Sequence, residues 1–362
     1  MPYHDMVGLR SCNRDRATPG YTLFSPLGQR ATYLVDMNGE VVHEWANPSH
    51  PGNYGYLLAN GNLLIGLFTE DGPQGLAAKG GRICEIDWDG NIVWEHVDEN
   101  QHHDFRRLDN GNTVYLAWEL YDKATAARIK GGMAGTEREE GMYGDVLREV
   151  DRDGNIVWEW QAARHLEIEN YPISPTAARK EFGHGNTVFP LENGDFLVNW
   201  RTTNLMVIID RKTKAVKWEM ADLAFGQQHD VQILANGNML FFANAADATN
   251  FGPEHGSRII ELDPETKEIV WEYKAKPGYA FFSWFISGCQ RLASGNTLIC
   301  QGVWGRLFEV TQEGEVVWDY ISPYFVPDGA HPAYQNGNFI FRCYRYAADG
   351  GQIAGRLPAD PW

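Results

Sequence analysis

Apolar and polar positions alternate along most of the chain in short runs broken by polar turns, the period-two signature of half-buried strands. One phrase recurs six times: ATYLVDMNGEVVHEW from Ala31, GRICEIDWDGNIVWEH from Gly81, DVLREVDRDGNIVWEW from Asp145, LMVIIDRKTKAVKWEM from Leu205, SRIIELDPETKEIVWEYK from Ser257 and GRLFEVTQEGEVVWDYI from Gly305. Each copy reads as strand, turn, strand, with Asn-Gly, Asp-Gly, Glu-Gly or the longer DPETKE at the turn. A second phrase alternates with the first: YLLANGNLLIG, FRRLDNGNTVYLAW, VFPLENGDFLVNW, VQILANGNMLFFA, CQRLASGNTLICQG and PAYQNGNFIFRCY. Six copies of two hairpins predict six four-stranded sheets, an all-β, six-bladed β-propeller spanning 1–362 as one domain.

The aligned position of the first phrase holds His43, Trp94, Trp158, Trp218, Trp271 and Trp318. Indoles at fixed register on outer strands are expected to pack between neighbouring blades, because radially stacked sheets need a large apolar filler there. The chain opens with an outer hairpin over 20–45 and ends with an inner phrase over 330–347. Pairing the two closes the ring and covers edges that would otherwise be open.

Helical periodicity is weak except in 121–144, which has room for a short helix before its glycines. With 161–181, 246–256, 274–286 and 321–329 it forms a set of long connections. Propeller connectivity puts these on one face, over one mouth of the channel, and tight turns on the other. Elaborated loops on a rigid scaffold mark that face as the ligand side.

Charge narrows the partners. Of 362 residues, 48 are acidic and 31 basic, a formal charge of −17, so nucleic acid and anionic membranes are repelled. Anion chemistry needs a local positive pocket. No apolar run reaches the length of a membrane span and no export signal opens the chain, which predicts a cytoplasmic location. The five cysteines, Cys12, Cys84, Cys289, Cys300 and Cys343, are scattered without a CxxC pair and read as reduced.

Chemistry gathers where the chain enters the innermost strands: His102 and His103 in QHHDF, His184 in FGHGN, His229 in QQHD, His331 in GAHP. Four blades thus aim imidazoles at one mouth, where they can serve as nucleophile, acid, base or metal ligand. Arg201 ends the second strand of the blade that His184 enters, and its guanidinium can hold sulfuryl or phosphoryl oxygens. Asn199, Asn244 and Asn250 are further amide candidates, and Arg342 and Arg345 follow His331. Phe281, Phe282, Trp284, Phe285, Tyr324 and Phe325 could line a pocket for a small aromatic ligand or pack against one another. His4, His43, His50, His96, His165 and His255 read as structural.

Over roughly residues 80–320 the chain resembles the aryl-sulfate sulfotransferases, propeller enzymes that need no nucleotide-activated sulfate. The resemblance rests on HHDFRRLDNGNT, FGHGNTVFPLENGDFLVNWRTTNLMVIIDRKTKAVKWEM and QQHDVQILANGNMLFFANA. It implies sulfuryl transfer from an aryl sulfate to a phenol through a sulfated histidine, with neither metal nor nucleotide cofactor. It assigns His229 as nucleophile and His184, Arg201 and His103 as its partners. The chain departs from the family pattern at Phe242-Ala243-Asn244-Ala245, where Asp-Asn-Gly is usual, and in carrying His331. Two other readings stand beside it. His103, His184, His229 and His331 could hold Fe, Mn, Zn or Ca for a lyase, hydratase or oxygenase reaction. Alternatively, the same face binds a small molecule without catalysis. The sequence leaves the oligomeric state open.

Overall fold

Turn chemistry sets the hairpins. In the Asp-Gly turn after Ile86, the Asp87 carboxylate accepts the backbone N–H groups of Asp89 and Asn91, and Gly90 takes the left-handed conformation (φ 89°). Repeated along the chain, such turns give six four-stranded antiparallel blades, a six-bladed β-propeller. The computed structural model describes residues 6–247, 253–328 and 334–362.

Blade one is the closing blade. It combines Ile340–Tyr346 from the C-terminal end with Tyr21–Pro26, Ala31–Val35 and Val41–Ala46 from the N-terminal end. The C-terminal segment thus contributes one innermost strand to this sheet, and the N-terminal segment supplies three. Blade two holds Pro51–Leu57, Leu63–Phe68, Gly81–Ile86 and Ile92–Val97. Blade three holds Gln101–Arg107, Thr113–Tyr121, Met142–Val150 and Ile156–Gln161. Blade four is Gly185–Pro190, Phe196–Trp200, Leu205–Ile209 and Val216–Ala221; blade five is His229–Ile233, Met239–Ala243, Arg258–Leu262 and Ile269–Tyr273. Blade six is Gly288–Arg291, Thr297–Gln301, Arg306–Val310 and Val316–Ile321. Gly8–Cys12 adds a fifth, antiparallel strand to its outer edge, an element the repeat pattern does not announce.

By internal contacts the chain divides into two units. One comprises described residues within 1–68, 82–95 and 285–362; the other covers 69–81 and 96–284. The second unit holds blades three to five. Its core includes Leu116, Leu147, Trp160, Val198, Trp200 and Leu205, each at most 1% exposed. Burying side chains of this size contributes about 1.5–3 kcal/mol each. The first unit has its own core around Phe24, Leu298, Leu307, Trp318 and Tyr320.

The repeated indoles join blades by a directed bond as well as by packing. Trp158 Nε1 donates to Arg211 O (2.9 Å), and Trp218 Nε1 donates to Pro264 O (2.7 Å). In the first unit Trp318 Nε1 donates to Met37 O (3.0 Å), while His43 stacks on Trp88. Each of these three indoles reaches from an outer strand to a turn carbonyl of the following blade, so the polar tip of a large apolar filler is satisfied. All five cysteines are free.

Candidate active site

Three backbone irregularities set the site in the second unit. At the entry to blade three, the pairing jumps from Phe105↔Tyr115 to His102↔Leu116, leaving His103 and Asp104 in a bulge. Blade four shifts between Gly185 and Thr187, and blade five between His229 and Gln232. His103 (φ 49°), His184 (φ 55°) and Asp230 (φ 57°) take the left-handed conformation that side-chain-bearing residues avoid. Bulges re-aim side chains out of the sheet, and backbone strain persists where the surroundings over-determine it.

The long connections lock the second imidazole. A short helix, Lys123–Arg128, is N-capped by Asp122, whose carboxylate accepts the Thr125 N–H (2.7 Å). Beyond it, Gly131–Met133 pairs in parallel with Ile173–Ala178. The Tyr143 N–H donates to Lys180 O, and the Phe182 N–H to Tyr143 O (2.7 Å). This ties the segment carrying Glu181 and His184 to blade three. The glycines of FGHGN have a packing reason: a Cβ on Gly183 would sit 2.2 Å from the Trp200 ring, and one on Gly185 3.2 Å from the Asp145 carboxyl.

His103 and His184 meet directly, Nε2 to Nε2 at 3.0 Å. His103 Nδ1 lies 2.7 Å from Nδ1 of His102, and His102 stacks on Trp118. His184 Nδ1 contacts Glu181 Oε1 at 2.6 Å, while Trp118 Nε1 donates to Glu181 Oε2 (3.1 Å). Burial, followed by the charges of His184, His102, His229 and Arg201, holds His103 well below the ordinary histidine value, so it is neutral. Burial alone would raise the Glu181 carboxyl. The charge and hydrogen bond of His184, with His102 and the Trp118 N–H, outweigh it and keep Glu181 an anion.

His229 has a fixed tautomer. Its Nδ1 lies 2.8 Å from Asn244 Oδ1, and Asn244 Nδ2 donates to Ser283 O (2.8 Å). That second bond turns the amide oxygen toward the imidazole, so Nδ1 carries the proton and Nε2 the lone pair. Asn244, expected as a ligand contact, is instead the residue that orients His229. Asn199 is likewise redirected. Fully buried, it donates to Asn186 Oδ1 and Gln228 O and accepts from Gln228 Nε2, fixing the backbone just before His229.

Arg201 behaves differently from both asparagines. Its backbone N–H donates to His184 O (3.2 Å), which places the side chain beside that histidine. Among the described residues, its guanidinium makes no ion pair or hydrogen bond, and Nε is sealed from solvent. Burial lowers its basicity, opposed by the charges of Glu181 and Asp247, yet an arginine remains a cation.

A cavity of about 390 Å³ opens here, its wall including Glu181, His184, Arg201, Thr202, Lys180 and Trp284. His103 (3% exposed) and His229 (2%) are buried and are not among its lining residues. Of the aromatic cluster expected near a ligand, Trp284, 44% exposed, is part of this wall. Phe281 packs on Phe242 and Tyr273, Phe282 on His255, and Tyr324 stacks on Tyr33 in the first unit. Arg345 is spent on an ion pair with Glu309, and Arg342 lies over the Tyr54 ring, so both are occupied structurally in the first unit. His331 and Asn250 lie outside the described residues. Among the described residues, no group of three or more His, Cys, Asp or Glu side chains is arranged to hold a metal ion.

Sequence reasoning missed Glu181, Asp145 and Trp118. Glu181 had one local signal, its place three residues before His184; the other two reach the site only through strand pairing.

Fold and site define a β-propeller enzyme. The sequence profile of the arylsulfotransferase (ASST) family matches residues 56–323, and the chain belongs to that family. No curated protein matches it. Among solved structures it is similar to a protein of unknown function from Bacteroides caccae, at 14% identity and TM-score 0.54, covering 90% of this chain and 98% of that one. That likeness supports the fold. A streptogramin B lyase matches at 11% identity and TM-score 0.49 (90% and 85% covered). A virginiamycin B lyase from Staphylococcus aureus matches at 11% identity and TM-score 0.45 (88% and 89% covered). No helix among the described residues is long and apolar enough to cross a membrane.

Proposed function

We propose that the enzyme moves a sulfuryl group from an aryl sulfate to a phenolic acceptor through a sulfated His229, without nucleotide-activated sulfate. The observation that carries this reading is the His229–Asn244–Ser283 chain, which places a ring proton on Nδ1 and so assigns the attack to Nε2. A neutral nucleophile approaches an anionic sulfate ester with less repulsion than a carboxylate. Arg201, a guanidinium without an ion pair among the described residues in a chain of net charge −17, supplies the local positive field for the sulfuryl oxygens.

In the first half-reaction, the Nε2–S bond forms as the S–O(aryl) bond breaks, and the electron pair stays on the aryl oxygen. His184, at the cavity wall, protonates that oxygen. In the second half, the acceptor phenol gives up its proton as its oxygen takes the sulfuryl group from His229. Trp284 offers a face for the aryl ring and Lys180 a second cation at the wall. Because His229 is 2% exposed, the reading requires the wall to admit the sulfuryl group past Arg201. The same burial keeps water from the sulfohistidine and so favours transfer over hydrolysis.

Incubation with an aryl sulfate and no acceptor tests this by intact and peptide mass. The expected result is an added sulfuryl group on the peptide bearing His229, absent from His229→Ala. Turnover surviving in His229→Ala, or a stoichiometric transition metal that is lost from His331→Ala, overturns it.

A further inference from the structure

Three imidazoles stand in a row between two buried carboxylates. Asp145 Oδ1 lies 3.0 Å from His102 Nε2, His102 Nδ1 2.7 Å from His103 Nδ1, His103 Nε2 3.0 Å from His184 Nε2, and His184 Nδ1 2.6 Å from Glu181 Oε1. All five residues are at most 7% exposed. Each contact joins two atoms that accept hydrogen bonds when unprotonated, so each needs one proton between them. Three neutral imidazoles bring three ring protons to four contacts. The shortfall has a place: His102 Nε2 and Asp145 Oδ1, 3.0 Å apart, are each sealed from water and each without an aligned hydrogen bond. Leaving both unsatisfied is costly, because each has given up its hydrogen bonds to water without a replacement.

We propose that His102, His103 and His184 form a proton relay that holds one proton more than three neutral rings, with Asp145 as its inner terminus and His184 as its cavity end. Three arrangements satisfy all four contacts, and burial and the neighbouring positive charge disfavour the one with His103 as the cation, leaving two. In one, His102 is the cation, donating to Asp145 and His103, while His103 donates to His184 and His184 to Glu181. In the other, His184 is the cation, donating to Glu181 and His103, while His103 donates to His102 and His102 to Asp145. His103 is neutral in both and changes only which nitrogen bears its proton. That matches the burial and surrounding positive charge that keep His103 uncharged. The other charged groups facing the row are Arg201 and His229, which act on His103, and Tyr121, whose hydroxyl burial and the Asp145 charge keep protonated.

The relay rests on the reading of His184 as the acid at the cavity. When the aryl oxygen leaves, the His184 Nε2–H bond breaks and the phenol O–H bond forms. His103 then keeps its one proton on Nδ1, donating to His102, and His102 keeps its own on Nε2, donating to Asp145, so the missing proton leaves its gap between His103 Nε2 and His184 Nε2. The acceptor phenol returns a proton to His184 in the second half-reaction, and the row is restored. His102 and Asp145 are therefore positioning residues, acting on the substrate only through His184.

The test uses the full-length protein and its His102→Gln and Asp145→Asn variants. Asn at 145 can still accept the Gly185 N–H that Asp145 Oδ2 accepts at 2.9 Å, and its amide N–H would donate to His102 Nε2 and so bar the extra proton from the row. With phenyl sulfate, whose leaving oxygen needs a proton, kcat falls by about 10²-fold, the usual size of general-acid catalysis. With 4-nitrophenyl sulfate, whose leaving group needs none, it falls by less than about threefold on the same ground. Equal losses on both substrates mean a structural defect and overturn the relay. Imidazole N–H resonances of the 15N-histidine-labelled protein give a readout independent of turnover. Low-field signals linking the three rings, lost together in both variants, support the relay; signals of His103 and His184 unchanged by Asp145→Asn overturn it. If wild type cleaves neither sulfate yet shows the linked signals, the sulfuryl-transfer reading fails and the relay stands.

Discussion

Each of the two units encloses an arginine, and the two are used in opposite ways. In the first unit, Arg345 donates to Thr22 Oγ1 and Thr18 O and pairs with Glu309, which also accepts from Thr18 and Asn296. Its guanidinium lies over Trp318, 4.5 Å from the ring centroid. In the second unit, Arg201 has no such partner among the described residues, although Glu181 lies in the same cavity wall. Glu181 is already committed to His184 and Trp118. A buried cation with a carboxylate of its own belongs to the fold; Arg201, which has none among the described residues, is the one proposed to meet an anion from outside.

The largest effect should come from separating these roles. Arg345→Ala leaves Glu309 buried without its counter-ion and is expected to cost about 3–5 kcal/mol in denaturant unfolding. Arg201→Ala should leave the unfolding midpoint nearly unchanged but cut kcat/KM for an aryl sulfate by about 10²–10³, the cost of one oxyanion donor. A large stability loss in Arg201→Ala would erase the distinction. Next in size, Asn244→Leu removes the acceptor that fixes the His229 tautomer. It should lower kcat by about 10² with little change in KM, as removal of an oriented catalytic partner does.

The pH dependence of stability sharpens the comparison further. His103 is held well below the ordinary histidine value, so the unfolded chain takes up a proton near pH 6.5 that the folded one refuses. Stability is therefore full above that pH and falls below it, by up to about 1.4 kcal/mol per pH unit for this residue. Thermal melts from pH 7 to 5 should show the slope, and His103→Gln should flatten it. The smallest effect is expected at the blade junctions. Trp158→Phe keeps the ring against Phe196 but loses the bond to Arg211 O, at about 1 kcal/mol, with turnover unaffected.

The repeat made the fold legible because a period-two pattern and its turns are local properties. Twelve phrases imply their hairpins whatever surrounds them, and the indole at fixed register implies a neighbour to pack on. The closing sheet was legible for the same reason, though its division into three strands and one depends on long-range pairing. Candidate site residues were legible where they recurred, as His103, His184 and His229 do at strand entries. His102 was easy to pass over, since the register argument favours its neighbour. Glu181 and Trp118 carry no repeated position, and Asn244 reads equally well as a ligand contact.

The sequence by itself determined the six sheets, the stapling indoles, the acidic field and the set of imidazoles at strand entries, because spacing and residue type suffice for each. Only the tertiary structure decided which nitrogen of each imidazole faces what. That depends on bulges and left-handed residues that turn the side chains, and on a parallel pairing of two loops about 40 residues apart. It also decided that Asp145, a residue of the repeated outer phrase, ends beside His102, and that among the described residues Arg201 makes no ion pair while Arg345 makes one. Hydrogen-bond direction and charge pairing are set by distances of about an ångström, on the scale of a single bond's reach, which no spacing along the chain specifies.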